Sequence, residues 1–236
     1  MAYSGKNGNV YSSALLVEDC EDVWVAGTGA SVISVVTGKV GTYCVRDTTT
    51  TLGASALMMT EIVSLNLTTY DGIYFWFRSS VNTAAGDLAL LLDDTGLCAT
   101  PLEVLNIPAL TATTWKQCFA RLSDPSLLGS VISVGMRQVT DLADGTFDID
   151  DVEALKEIDG IKSWALDYTA DTLDATDFDD AGVKAHIIGG SGWSGSFEGY
   201  KDTTPLGIGS EVYLTLGEST TAYQNWIGKV IITACH

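Results

Sequence analysis

The side chains that most often carry out catalysis are few in this chain and lie far apart. It has 2 His among 236 residues, and they are His186, which precedes two isoleucines, and His236 at the last position. Adjacent carboxylates occur at Asp93-Asp94 and Asp179-Asp180, and a carboxylate pair is the machinery of a glycoside hydrolase. In a chain with 30 Asp+Glu such pairs have little specificity and are also typical of turns. The motifs GxSxG, GxxxxGK[ST] and HExxH are missing from the sequence, so we predict no catalytic residues and no enzyme activity.

The cysteines indicate neither a disulfide framework nor a zinc site. Their number is odd, their spacing is wide, and the sequence contains no CxxC pair. We therefore predict buried, reduced thiols in a protein made in the cytoplasm. The five cysteines are Cys20, Cys44, Cys98, Cys118 and Cys235.

The composition excludes several classes of protein. With 46% hydrophobic and 18% charged residues, the chain is too apolar for a disordered acidic tail. The formal net charge of −18 argues against nucleic-acid binding, which needs clustered Lys and Arg to neutralise phosphates. The first residues contain no apolar core of a signal peptide, and no run of 18 apolar residues occurs, so we expect neither secretion nor a membrane span.

Short β-branched and aromatic runs between Gly, Asp, Asn and Thr turns predict an all-β chain. Gly72–Arg78, Val131–Met136 and Glu211–Leu216 are typical of these runs. Such a pattern favours a sandwich or barrel over alternating βαβ units. One short helix is predicted between Thr172 and Ile187, because the Asp-rich start of this segment suits a helix N-terminus.

The C-terminal third contains a strand and acidic segment, Ile161–Asp180, followed by the strand Gly192–Gly199. In these segments it resembles short tail-tube-like proteins of bacteriophages and prophages. The N-terminal Gly5–Tyr11 matches the first strand of that family, which normally lies only a few residues before the segment at 161. Because about 150 residues separate the two here, we predict an insertion. A discontinuous tail-tube-like β-sandwich or barrel then occupies residues 1–14 plus 156–236, and an inserted domain occupies 15–155.

The resemblance implies a bacteriophage virion structural protein, made in the host bacterial cytoplasm and located in the virion. Tail-tube subunits pair sheet edges in rings that stack, so the partners are further copies of this chain and other virion proteins. Relatives continue with two further strands where this chain stops at His236. A capsid decoration or head-surface protein, as a trimer or monomer, is therefore the alternative. The small and aromatic residues implied at the subunit contact are Trp164, Trp193, Gly195 and Phe197.

The inserted part contains, in this order, the segments Val17–Asp19, Gly41–Arg46, Leu67–Arg78 and Phe147–Glu153. In these segments it resembles a carbohydrate-binding-module jelly roll. The resemblance implies a β-jelly-roll domain and a cell-surface glycan as a partner. A free-standing carbohydrate-binding protein is therefore a third hypothesis for the whole chain.

The jelly-roll resemblance also implies a structural Ca²⁺ that joins the first strand to the last. Glu18, the carbonyl group of Gly41 and Asp150 occupy the matching positions, and calcium takes about six to eight oxygen ligands. The alternative is that these acids are solvated strand ends.

Sugar binding by a jelly roll needs exposed aromatic rings, which stack on the apolar face of a pyranose. Alternation along Ile73–Phe77 places two aromatic side chains on the face opposite Ile73, Phe75 and Phe77, but the sequence does not show which face is the core. The candidates for glycan stacking are Trp24, Tyr74, Trp76 and Trp115.

Overall fold

The structure is a computed structural model that describes residues 2–5, 7–27, 31–50, 53–174, 186–199, 207–217 and 225–233. These residues form strands and one short 3₁₀ turn, Pro125–Leu127, which confirms the predicted all-β class. The strands are β1 (Ala2–Gly5), β2 (Asn7–Glu18), β3 (Val25–Ala26), β4 (Val32–Thr37), β5 (Tyr43–Thr49), β6 (Ala56–Leu65), β7 (Gly72–Ser79), β8 (Leu88–Asp93), β9 (Glu103–Asn106), β10 (Lys116–Arg121), β11 (Val131–Gln138), β12 (Gly145–Glu157), β13 (Ile161–Asp174), β14 (His186–Gly199), β15 (Glu211–Gly217) and β16 (Asn225–Ile231).

The chain divides into two compact units, and each is described by itself. Tyr11–Glu157 form one unit, called here the central unit. Met1–Val10 and Ile158–His236 form the other, called the terminal unit. The boundaries lie a few residues from those expected for an insertion, while the family assignment of each unit stays a prediction.

The central unit contains two antiparallel sheets. The front sheet has the order β4-β5-β12-β7-β10, and β2 also pairs with the second half of β12. The back sheet has the order β3-β6-β11-β8-β9. From β5 onward the chain crosses repeatedly from one sheet to the other. The strands β5, β7, β10 and β12 belong to the front sheet, and β6, β8, β9 and β11 belong to the back sheet. Apart from β8 and β9, which are consecutive and both lie behind, consecutive strands from β5 onward alternate between the two layers, as in a jelly roll.

The core of the central unit lies between these two sheets. Ile73, Phe75 and Phe77 of β7 point into it, together with Phe147 and Ile149 of β12. Since side chains alternate along a strand, the residues between them lie on the outer face of the front sheet. This face of the front sheet positions the candidate site.

Four of the five cysteines, Cys20, Cys44, Cys98 and Cys118, are buried free thiols of the central unit. This confirms that these four cysteines are buried, as predicted, while their reduced state stays a prediction. The fifth, Cys235, lies outside the described residues.

The terminal unit contains the three-stranded sheet β1-β13-β14 and the antiparallel pair β15 and β16. A small apolar cluster includes Val10, Ile158, Val212 and Ile232, and Phe197 packs against it. The main-chain N–H of Ile158 donates to the carbonyl of Val10 at 2.8 Å.

The helix predicted between Thr172 and Ile187 is wrong at both ends of that segment. Thr172–Asp174 is the end of β13, and His186-Ile187 is the start of β14. Thr172 pairs with Ile188 across the two strands, so cross-strand pairing overrides the local preference of the Asp-rich sequence. Residues 175–185 lie outside the described part of the chain.

Candidate functional site

The candidate site begins with one row of charged side chains across the front sheet. In the strand register, Asp148 of β12 lies opposite Arg46 of β5 on one side and Arg78 of β7 on the other. Directly opposed side chains on one sheet face are about 5 Å apart at Cβ, close enough for long side chains to bond. The order of strands β5-β12-β7 therefore places one carboxylate between two guanidinium groups.

Both arginines donate to Asp148. Arg46 donates through Nε to Oδ1 at 2.6 Å and through Nη2 to Oδ2 at 2.9 Å. Arg78 donates to Oδ2 through Nε at 2.8 Å and through Nη2 at 2.5 Å. The side chain of Asp148 is 2% exposed, whereas those of Arg46 and Arg78 are 28% and 26% exposed. The buried carboxylate thus fixes two partly exposed guanidinium groups, and we call these three residues the Arg–Asp–Arg clamp.

Electrostatics agrees with this geometry. The hydrogen bonds from Arg46 to Asp148 raise the pKa of the Arg46 guanidinium, against the opposing effect of its partial burial. A guanidinium is charged at every physiological pH, so both arginines carry their charge permanently. The clamp contains two positive charges and one negative charge.

Two aromatic rings flank the clamp. The Cζ atom of Arg78 lies 4.5 Å from the centroid of the Trp115 ring, within the range of a cation–π contact. Trp76 lies two residues from Arg78 on the same face of β7, and the Nζ atom of Lys39 is 4.9 Å from the centroid of its ring. Both rings are partly exposed, so they are available on the outer face.

Asp150 holds the loop that carries Lys39. Its Oδ2 atom accepts hydrogen bonds from the main-chain N–H groups of Lys39 at 2.6 Å and Val40 at 2.9 Å. Burial raises the pKa of Asp150 above its ordinary value, while these two hydrogen bonds lower it. The loop between β4 and β5 is therefore fixed beside Trp76, which lies opposite Asp150 in the register.

Glu21 holds the other side of the same loop. Its carboxylate accepts from the N–H of Thr42 at 2.6 Å and from that of Tyr43 at 3.2 Å. Gly41 has a φ of 61°, and a Cβ atom there would lie 2.0 Å from Oε1 of Glu21. Glycine is favoured at this position by its left-handed backbone, and a side chain there would displace the carboxylate of Glu21.

The three positions implied for calcium, Glu18, Gly41 and Asp150, have separate roles in this structure. Oε1 of Glu18 accepts from the N–H of Cys20 at 3.2 Å, Gly41 lies against Glu21, and Oδ2 of Asp150 accepts from the loop. Among the residues that the structure describes, no three His, Cys, Asp or Glu side chains are grouped as metal ligands.

These contacts do not assemble the oxygen cage that calcium needs. Oδ1 of Asp150 is nevertheless a buried oxygen without a hydrogen-bond partner among the described residues. Calcium binding stays a prediction.

Two of the four aromatic residues predicted to stack on sugar are buried instead. Trp24 is 2% exposed and belongs to the core between the sheets. Tyr74 is also 2% exposed; it lies opposite Phe119 in the register, and the ring of Phe119 packs against that of Tyr11 at 4.8 Å. Only Trp76 and Trp115 of the predicted set lie partly exposed on the outer face of the front sheet.

The residues predicted for an assembly contact lie in the terminal unit. Trp164 is buried and pairs with Gly5 on β1 and with Phe197 on β14. Phe197 is partly buried, and a Cβ atom at Gly195 would lie 2.6 Å from the carbonyl oxygen of Ala165. The side chain of Trp193 lies outside the described part of the structure. Trp164 thus packs within its own unit, and a contact with another copy stays a prediction.

The acidic pair at Asp93-Asp94 forms a turn after β8. Asp93 is buried and accepts hydrogen bonds from the N–H of Asp94 at 2.9 Å and from the hydroxyl of Thr95 at 2.6 Å. This is the side-chain-to-backbone bonding that stabilises turns. The second pair, Asp179-Asp180, lies outside the described residues.

Sequence reasoning did not assign a role to the Arg–Asp–Arg clamp. Arg46, Arg78 and Asp148 lay within the segments that resemble a jelly roll, but each is an ordinary strand residue when taken alone. The available signal was that Arg78 follows Trp76 by two positions, which places both on one face of β7.

Comparison with known proteins gives matches to solved structures alone. No protein-family model matches the chain, and no curated protein matches it. The solved structures include the K3 cleaved adhesin domain of Lys-gingipain from Porphyromonas gingivalis W83, at 17% identity over 61% of this chain and 100% of that chain, with a TM-score of 0.41.

Two carbohydrate-binding modules are also similar. A family 11 module from Clostridium thermocellum, solved with a β-1,3-1,4-mixed-linked tetrasaccharide, is 13% identical over 66% of this chain and 88% of its own, with a TM-score of 0.39. The CBM22-1 xylan-binding domain of Paenibacillus barcinonensis Xyn10C is 15% identical over 65% of this chain and 97% of its own, with a TM-score of 0.36.

The described part of the chain contains no apolar helix of the length that a membrane span requires.

Proposed function

We propose that the central unit is a carbohydrate-binding module that binds a glycan on the outer face of its front sheet. The observation that carries the proposal is the combination of Trp76 and Trp115 with the Arg–Asp–Arg clamp on one sheet face. Partly exposed indole rings provide flat apolar surfaces, and fixed N–H donors provide directional hydrogen bonds. A pyranose needs both, because it has an apolar ring face and hydroxyl groups around its edge.

The site is also preorganised. Asp148 holds Arg46 and Arg78 from a buried position, and Asp150 holds the loop that places Lys39 beside Trp76. Side chains that are already ordered lose less conformational entropy when a ligand binds. The arrangement therefore suits recognition of a ligand.

The test is a screen of the full chain against immobilised and soluble polysaccharides, by affinity electrophoresis and glycan array. Any glycan retained by the wild type is measured again with Trp76→Ala and Trp115→Ala. Ile132→Ala is the matched control, because it truncates an exposed apolar side chain on the back sheet. We expect both tryptophan variants to lose most of the affinity and the control to keep it. Retention that is equal in all four proteins, or no retention of any glycan by the wild type, overturns the proposal.

The second candidate is a bacteriophage virion structural subunit, as a tail-tube or capsid-decoration protein located in the virion. It is supported by the sequence resemblance of Ile161–Asp180 and Gly192–Gly199 to tail-tube-like proteins, which neither the structure nor the comparisons test. Negative-stain microscopy of the purified protein separates the candidates. Tubes or rings support the tail, trimers support decoration, and monomers retained on a glycan column support a free-standing carbohydrate-binding protein.

A further inference from the structure

The clamp contains more positive charge than its buried carboxylate requires. One arginine neutralises Asp148, yet Arg46 and Arg78 both bond to it, and both donate to the same oxygen atom, Oδ2. The two guanidinium groups repel each other, because both carry a positive charge and both lie beside the same oxygen atom. The row therefore has one positive charge in excess, in a protein whose formal net charge is −18.

The excess charge is directed outward. A guanidinium has five N–H donors, and each arginine uses Nε and Nη2 on Asp148. The Nη1 groups of both residues have no hydrogen-bond partner among the residues that the structure describes. With 28% and 26% of their side chains exposed, Arg46 and Arg78 are partly open to solvent on the outer face.

A third cation lies on the next row of the same face. Lys39 has its ammonium group 4.9 Å from the centroid of the Trp76 ring, and its backbone is held by Asp150. Asp150 is fully buried and its Oδ2 atom is bonded to the loop N–H groups, so the ammonium group of Lys39 is the charged group beside the exposed part of the ring. Each partly exposed indole ring of the face thus has a cation beside it: Arg78 beside Trp115 and Lys39 beside Trp76.

From this pairing of rings and cations we propose that the site selects acidic glycans, with a uronate carboxylate bound by Nη1 of Arg46 and Arg78 while a sugar ring stacks on Trp115 or Trp76. A carboxylate has two oxygens that can accept charge-assisted hydrogen bonds, one from Nη1 of each arginine, and such bonds are stronger than those between neutral groups. A neutral sugar would leave the excess charge without a partner in a partly desolvated row. This inference rests on the proposed carbohydrate-binding function and specifies its ligand class.

The test compares acidic glycans with neutral forms of the same chain. Titration calorimetry measures binding for three pairs, each an acidic glycan and its neutral form. The pairs are an oligogalacturonate and its methyl ester, alginate oligomers and their methyl esters, and glucuronoxylan and unsubstituted xylan. For at least one pair we expect the acid to bind about tenfold or more tightly than the neutral form. The difference should shrink as NaCl is raised from low to physiological concentration, because salt screens the charge.

The variants separate charge from folding. Arg46→Gln and Lys39→Gln should reduce the preference for the acid, and Arg78→Lys, which keeps the charge but loses the fork, should reduce it by less than Arg78→Gln. Arg137→Gln on the back sheet is the matched control and should leave the preference unchanged. Melting curves identify any variant that fails to fold, and Lys39→Gln, in a surface loop, tests the inference independently of the clamp.

The outcomes distinguish this inference from the proposed function. If neutral forms bind as tightly as the acids and binding still depends on Trp76, the acidic preference is wrong and carbohydrate binding stands. If only sulfated glycans bind, the uronate assignment is wrong. If no form of any glycan binds, both are wrong.

Discussion

Arg46 and Arg78 approach the carboxylate of Asp148 from opposite sides, because they lie on the two strands that flank β12. Both donate to the same atom, Oδ2: Nη2 of Arg46 at 2.9 Å and Nε of Arg78 at 2.8 Å. Three strands that are distant in the chain meet in this one contact. It links β5, β12 and β7 and defines the charged centre of the outer face of the front sheet.

Replacing the carboxylate should destabilise the central unit. Asp148→Asn leaves two guanidinium groups close together without a counter-charge, and breaking a buried ion pair in this way costs about 3–5 kcal/mol. We expect urea unfolding to show a loss near the lower end of this range, because both arginines are partly solvated. The exposed Asp94→Asn is the control.

A second substitution tests whether repulsion causes that loss. Arg78→Met in the Asp148→Asn background removes one of the two cations, so it should recover part of the lost stability. Additive losses in the double variant would contradict the account of the clamp as two cations held by one anion.

Trp24 should behave as a core residue and not as a ligand-binding residue. It is 2% exposed, and its Nε1 atom is buried without a hydrogen-bond partner among the described residues. Trp24→Ala should cost about 3–5 kcal/mol through loss of packing. Trp24→Phe should cost much less, since it removes an unpaired donor and keeps an aromatic ring. Equal losses in chemical unfolding would show that the indole N–H is bonded in solution.

The partly buried Glu18 should make stability depend on pH. Burial raises the pKa of Glu18 from 4.5 to about 7, while the N–H of Cys20 partly opposes this shift. Because the pKa in the folded state lies above that in the unfolded state, the protonated group stabilises the fold below about pH 4.5, and this stabilisation is lost as the pH rises through about 7.

Glu18→Gln removes that dependence. We expect the stability of this variant relative to wild type to increase between pH 5 and pH 8, as measured by urea unfolding at each pH. The exposed Glu198→Gln should show no such trend. Parallel curves for wild type and Glu18→Gln would contradict the burial of this carboxyl group.

Chelation tests the calcium that the jelly-roll resemblance implies. A structural Ca²⁺ bound by Glu18 and Asp150 predicts that EGTA lowers the melting temperature, that added CaCl₂ restores it, and that Asp150→Asn no longer responds. A melting temperature that is identical with EGTA and with CaCl₂ would exclude calcium from this position. The pH series for Glu18 is run in EGTA, so that the two effects are measured separately.

The sequence predicts the fold class and the two faces of β7, but not which of these faces is open. Short alternating strands with turn residues indicate an all-β chain, and alternation separates Trp76 from Phe75 and Phe77. Both faces of β7 contain aromatic residues, so hydrophobicity along one strand does not distinguish core from surface. Tyr74 shares a face with Trp76 and is buried only because other strands cover that end of the face.

The clamp could not be predicted because its contacts depend on the pairing of distant strands. Arg46 and Asp148 are 102 positions apart in the sequence, and Arg78 and Asp148 are 70 apart. A shift of one residue in either pairing would turn the side chains to the opposite face. Local patterns predict the strands themselves, whereas the register that joins these three residues follows from packing of the whole unit.

The most direct test of carbohydrate binding follows the indole N–H signals of the protein by NMR. The six tryptophans provide reporters at the site and away from it. The glycan retained in the screen is titrated into ¹⁵N-labelled protein, and the signals are assigned by single Trp→Phe substitutions. We predict that the signals of Trp76 and Trp115 shift and saturate together with the bound fraction, while those of the buried Trp24 and Trp164 stay unchanged. Saturable shifts confined to Trp164, or binding that leaves Trp76 and Trp115 unshifted, would contradict a glycan site on the front sheet.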